Sequence, residues 1–152
     1  METLKLDKAE AKKQFKSAPE WFRQVLISTF GAGTFSEKIT DRISTFENLC
    51  NETGTDPEDY NKLFGTLDEN AYRRLKLAAK VLNEGWEPNW KDTNERKWFP
   101  IFSLSSGFGF SGSGCTCTIT DSTVGSRLCF KSEELSDFAA KTFLEDYKAY
   151  LT

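Results

Sequence analysis

The chain has 152 residues, of which 38% are apolar, 14% aromatic and 28% charged, the size and balance of one folded domain rather than of a disordered or fibrous polymer. Its 20 basic and 23 acidic side chains leave a net charge of −3, divided as 13 against 14 in residues 1 to 85 and 7 against 9 beyond, so neither half has the basic excess that phosphate-backbone binding draws on. Histidine is absent, which removes the usual general base at neutral pH, the Ser-His and Cys-His pairs and the commonest metal ligand.

Residues 1 to 16 carry Lys5, Asp7, Lys8, Glu10, Lys12 and Lys13 without an unbroken apolar stretch, unlike a signal peptide. No run approaches the roughly 18 apolar residues of a membrane span. A cytoplasmic chain is expected, with Cys50, Cys115, Cys117 and Cys129 as thiols. This first stretch offers only a weak helical pattern. Pro19 and Glu20 suit a first turn, and Phe22, Val25, Leu26 and Phe30 follow on one side before Gly31 and Gly33, which predicts a helix over 19–30. Ser36 is an N-cap for a second helix in which Ile39, Ile43, Phe46 and Cys50 recur at helical spacing, ending before Gly54. Asp56 and Pro57 open a short helix with Tyr60, Leu63 and Phe64, closed by Gly65. Asp68 caps a longer one with an apolar stripe of Tyr72, Leu75, Ala79 and Leu82; Arg73, Arg74, Lys76 and Lys80 turn mostly to water, and Gly85 stops it.

Beyond Gly85 the texture changes to an irregular connection anchored by Trp86, Pro88 and Trp90. Residues 97–103, 108–111, 115–119 and 127–130 read as short strands of an antiparallel meander separated by Gly and Ser clusters. Ser132 then caps a terminal helix that buries Leu135, Phe138, Ala139, Phe143, Tyr147 and Tyr150. No internal repeat is visible. The expected fold is α+β, with a helical part over 1–85 docked as one compact unit with a sheet-plus-helix part over 86–152 and the terminal helix covering one sheet face.

Five patterns resemble chemistry or recognition. Residues 107–112 spell G-x-G-x-x-G, but a strand follows rather than a helix, so a turn or bulge in a meander is the better account. Gly107, Phe108, Gly109 and Phe110 match the centre of the RNA-recognition octamer, whose aromatics stack on bases, yet its basic and outer apolar positions are Ser106, Ser111 and Ser113. Cys115 and Cys117 share a strand face near Cys129, without the paired knuckle spacing of a zinc site, so no metal or cofactor is expected. Asp92 and Glu95 could form an acid/base pair but read as solvated loop charges. Trp86, Trp90, Arg96, Lys97 and Trp98 are the candidate recognition surface, since Trp and Arg dominate binding hot spots; anchoring in the core is the competing account, and the favoured one.

The phrases Gly85-Trp86-Glu87-Pro88-Asn89-Trp90, Trp98-Phe99-Pro100, Ser106 to Ser111 and Val124 to Ser132, with Ser36 to Ile43 upstream, are specific. In them the chain resembles a family of uncharacterised phage and prophage proteins of anaerobic gut bacteria. The resemblance covers most of the chain and implies a phage or prophage setting inside a bacterial cell, with no activity, ligand or catalytic residue to carry over. The function expected is a non-enzymatic protein-interaction or structural accessory module, its partner another copy or another phage or host protein. The alternative is a nucleic-acid-binding module using the Phe108 and Phe110 strand with Arg73, Arg74, Arg96 or Lys97.

Overall fold

Several helix starts follow caps that the side chains offer. In a computed structural model of the chain, which describes residues 6–62, 65–105, 107–116 and 126–152, Asp7 accepts the Glu10 amide at 2.8 Å and starts α1, Lys8–Phe15. Pro19 precedes α2, Glu20–Phe30, which ends at Gly31; Ala32–Phe35 then form a 3₁₀ turn. Glycine is required at position 33, because a Cβ there would lie 2.9 Å from the Asp41 carbonyl oxygen.

The single helix expected from Ser36 is two short ones. α3 spans Ile39–Arg42, Ile43 is extended, and α4 spans Phe46–Thr53. Thr45 Oγ1 accepts the Asn48 amide at 3.3 Å while Asn48 Oδ1 accepts the Ser44 and Thr45 amides, each at 3.0 Å, a capping box that outcompetes continuation of the helix. Ile39, Ile43, Phe46 and Cys50 are all buried, so the apolar spacing reports burial while the cap sets the boundary. Ser36 is not the N-cap, which is Lys38; its hydroxyl donates to the Asp41 carboxylate at 2.8 Å and accepts the Lys38 amide at 3.2 Å.

α5, Pro57–Lys62, starts behind Asp56, whose carboxylate accepts the Glu58 amide at 3.0 Å. Leu63 and Phe64 lie outside the described residues. α6, Leu67–Leu82, has Thr66 at its cap position, which puts Asp68 in the first turn rather than at the cap.

β1, Lys97–Ser103, pairs antiparallel with β2, Gly109–Thr116, with an irregularity between Ile101 and Phe102. The pieces expected at 108–111 and 115–119 are thus one strand as far as Thr116, and residues 117–119 lie outside the described residues. The strand expected over 127–130 is instead a 3₁₀ turn, Ser126–Leu128, and one bridge in which Trp98 and Phe130 exchange amide bonds at 3.0 and 2.9 Å. Asn83 explains the difference: its side-chain amide donates to the Cys129 carbonyl at 2.9 Å and its Oδ1 accepts the Lys131 amide at 3.0 Å, so a helix-end side chain satisfies backbone that a neighbouring strand would otherwise pair. Asn83 is only 5% exposed. Asn83→Ala, which orphans both groups, is expected to cost about 2 to 4 kcal/mol and lower the melting temperature by roughly 5 to 15 °C. A shift below about 2 °C would mean that water replaces the clamp.

Ser132 Oγ accepts the Leu135 amide at 3.3 Å and starts α7, Glu133–Thr142. The terminal helix is not continuous: it bends at Phe143 and resumes as α8, Leu144–Leu151. The bend keeps Phe143 in the core and lays α8 antiparallel along α6, with Tyr72 stacked on Tyr150 at 5.3 Å and Arg74 bonded to Asp146 at 2.8 Å. Burial pushes the Asp146 carboxyl up, and the Arg74 guanidinium pulls only partly against it. Arg74 also lies 3.9 Å over the Phe46 ring, tying α4 to α6 and α8.

One hydrophobic cluster joins the two halves, with Leu49, Leu75 and Leu82 from the first meeting Phe130, Ala139 and Tyr147 from the second. The fold is α+β: helices packed beside a two-stranded antiparallel hairpin, one face of which lies under α7. On that face Ser113 bonds Ser136 and Asp137 at 2.7 and 2.6 Å. α1 attaches to α4 through an ion pair between Lys12 and Glu52, and Glu52 also faces Arg42 at 3.4 Å. No helix among the described residues is long and apolar enough to cross a membrane.

Candidate functional site

The connection from α6 to β1 is built around one lysine. Glu84 and Gly85 turn the chain with φ of 50° and 84°, and the Trp86 amide donates back to the Asn83 carbonyl at 3.0 Å. The loop then wraps Lys97, which is 0% exposed: its Nζ donates to the carbonyls of Asn89 at 2.8 Å, Asp92 at 3.0 Å and Glu95 at 3.0 Å. Those three acceptors use the three protons of an ammonium. The Glu95 carboxylate lies 3.2 Å away and accepts the Asn89 amide at 2.7 Å, while Asp92 accepts the Asn94 amide at 2.9 Å. Both carboxylates envisaged as an acid/base pair are therefore engaged in shaping this loop.

Lys97 lies 5.7 Å from the centre of the Trp90 ring and supports it from below. Trp90, Trp86 and Pro88 form one wall of a cleft of about 540 Å³, within the size range of small-ligand and peptide-anchor sites. The other wall is α6, through Lys76 and Lys80 one turn apart, with Arg127 from the 3₁₀ turn. Both tryptophans are half-buried. Cys129 closes the floor; burial pushes its thiol up to about 11, so it is an unreactive thiol at neutral pH. Comparison with protein-family models, with curated proteins and with solved structures finds no match. The site must therefore be read from its own geometry.

Of the five residues that the sequence groups as a recognition surface, the fold brings two together at an open site, Trp86 and Trp90. Lys97 is buried beneath them and cannot touch a partner. Trp98 turns to the opposite side, bridging Phe130 and packing on the core. Arg96 is exposed but does not line the cleft. The residues that sequence reasoning passed over are Lys76, Lys80 and Arg127. Lys76 and Lys80 border the apolar stripe of α6 on the helical face that also carries Asn83, a signal available from helical spacing; nothing local announces Arg127.

The other aromatic candidates are committed to packing. Phe102 stacks on Phe108 at 4.9 Å, meets Phe110 at 6.0 Å and tilts against Tyr147 at 4.8 Å, while Lys141 sits 5.6 Å from the Phe110 ring. Phe138 and Phe143 belong to the same core without entering this stack. Arg74 is spent on Asp146 and Phe46, and Arg73 lies 4.9 Å over Tyr60, so the basic residues paired with a Phe108–Phe110 platform do not gather beside it. The glycines of 107–112 fall in the hairpin, and β2 continues through Thr116. Cys50 is buried in α4 and Cys115 exposed on β2, and among the described residues no three His, Cys, Asp or Glu converge; Cys117 lies outside them.

A second cleft, of about 630 Å³, lies between α1, the 3₁₀ turn and α3 and is also basic. Three of its four cations, all but Lys16, are occupied. Lys12 and Arg42 flank Glu52, Arg42 donates to the Ser36 and Glu37 carbonyls at 2.8 and 3.0 Å, and Arg23 caps the end of α1 through the Phe15 and Lys16 carbonyls at 3.1 and 3.0 Å. That cleft fastens the first two helices to the rest. In the tryptophan cleft Asn83 does structural work, but Lys76, Lys80 and Arg127 make no ion pair among the described residues.

Proposed function

We propose that the chain is a non-enzymatic protein-interaction or structural accessory module of phage or prophage origin, acting in the cytoplasm of its bacterial host, and that the tryptophan cleft is where it meets its partner. The observation that carries this reading is that Trp86 and Trp90, two of the costliest side chains to leave in water, stand half-exposed on the wall of an open cleft beside cations, where anchoring the loop would have buried them. The chemistry around them supports binding rather than catalysis: no histidine, two carboxylates engaged with backbone amides, and a thiol held protonated. The phage setting rests on the resemblance of residues 85–90 and 124–132, and gene neighbourhood tests it.

The partner is sought with a photo-crosslinking residue at position 87, on the cleft rim, in the 152-residue chain within extract of the host. One dominant adduct is expected, whose purified partner rebinds stoichiometrically and loses at least tenfold in affinity with Trp86→Ala, while the variant's melting temperature stays within a few degrees of the parent. A partner that binds Trp86→Ala and Trp90→Ala as tightly as the parent sinks the assignment of this cleft.

A further inference from the structure

Resting on that reading, we infer that the cleft takes an extended acidic segment of its protein partner, with carboxylates against Lys76, Lys80 and Arg127 and an apolar or aromatic side chain against Trp86 and Trp90. The charge count comes first. Three cations line the cleft against one carboxylate, Glu87, in a chain whose net charge is −3. Cations concentrated against the overall sign create a local field that attracts acidic groups.

These cations are also free to act. Among the described residues none of the three makes an ion pair; Lys76 only covers the Tyr72 ring, at 4.8 Å. A carboxylate arriving here breaks no ion pair among the described residues, whereas in the second cleft it would compete with Glu52 for both Lys12 and Arg42.

Spacing selects an extended peptide. Lys76 and Lys80 are four residues apart on α6, a rise of about 6 Å on one face. Alternate side chains of an extended chain are separated by roughly 6.5 to 7 Å and point the same way. Acidic residues at positions i and i+2 therefore match the two lysines, and the cleft volume leaves room for one bulky side chain between the indoles. Arg and Trp are both enriched among the residues that dominate binding energy at protein interfaces. A nucleic acid is the poorer occupant, because three phosphate contacts release few counterions.

The test titrates the full chain, followed by tryptophan fluorescence, with four polymers: poly(Glu,Tyr), poly(Glu), poly(Lys,Tyr) and oligothymidylate. Saturable binding is expected for poly(Glu,Tyr), weaker for poly(Glu), with at least a tenfold loss in Lys76→Glu/Lys80→Glu, in Arg127→Glu and in Trp86→Ala. These substitutions are at partly or fully exposed positions, and unchanged melting temperatures exclude misfolding. Equal binding by the charge-reversed variants overturns the inference, as does absence of binding to both acidic polymers. Trp86-dependent binding of poly(Lys,Tyr) overturns it too but leaves the protein-interaction reading standing. Oligothymidylate binding more tightly than poly(Glu,Tyr), with dependence on Lys76 and Trp86, overturns both.

Discussion

Lys97→Met is expected to destabilise the protein by about 3 to 5 kcal/mol, lowering its melting temperature by roughly 6 to 20 °C, and to disorder the cleft with it. The replacement keeps most of the aliphatic stem and removes only the ammonium. Left behind are three carbonyls, of Asn89, Asp92 and Glu95, and the Glu95 carboxylate, all converging on one point. Each unpaired buried acceptor costs about 1 to 3 kcal/mol, but Asn89 is exposed and Asp92 and Glu95 are half-buried, so water reaches part of the site and the total falls below the simple sum. Lys97→Arg should rescue little, since a planar fork cannot direct three donors to acceptors arranged around a point. Loss of support under Trp90 should also expose the indole, read as a red shift in fluorescence and faster amide exchange over 89–95. A cost below about 1 kcal/mol would show that solvent replaces the ammonium and that the loop holds its shape without it.

Lys97 also marks where the sequence is legible and where it is not. Lysine is almost never fully buried, so reading it as surface follows from residue type alone. Its partners lie only two, five and eight residues before it, yet they are backbone atoms, invisible to any pattern of side chains. Caps behave in the opposite way: Asp56 and Ser132 are read correctly because the hydrogen bond each accepts is made within three residues, although Ser36 and Asp68, of the same residue types, do not occupy cap positions. The break at Thr45 is equally local, carried by Thr45 and Asn48, but an uninterrupted apolar spacing from Ile39 to Cys50 masks it. The bend at Phe143 has no local mark, neither glycine nor proline, and exists because α8 must lie along α6. Likewise 127–130 is β-prone, and what keeps it from joining the sheet is Asn83, 46 residues from the carbonyl it binds. The tryptophans of the cleft were identifiable by type, but Arg127 reaches them only through that same long-range clamp.

The aromatic stack under the hairpin gives the second large effect. Phe102→Ala is expected to cost about 3 to 5 kcal/mol, because this ring alone touches Phe108, Phe110 and Tyr147 and so couples β1, the start of β2 and α8. Phe108→Ala should cost less, since its ring packs on one side of Phe102 at the core's edge, and Phe110→Ala least, since its ring faces the Lys141 ammonium rather than the core. Phe102 and Phe108 share one contact, so the double variant should fall short of the sum of the singles by about 0.5 to 1.5 kcal/mol, the size of an aromatic pair interaction. Urea unfolding of the four variants measures all of this. If instead Phe108→Ala and Phe110→Ala leave the unfolding midpoint unchanged while Phe102→Ala lowers it, the two outer rings contribute nothing to folding. The half-exposed edge of the hairpin, rather than the tryptophan cleft, would then be the aromatic surface whose presence needs a ligand to explain it.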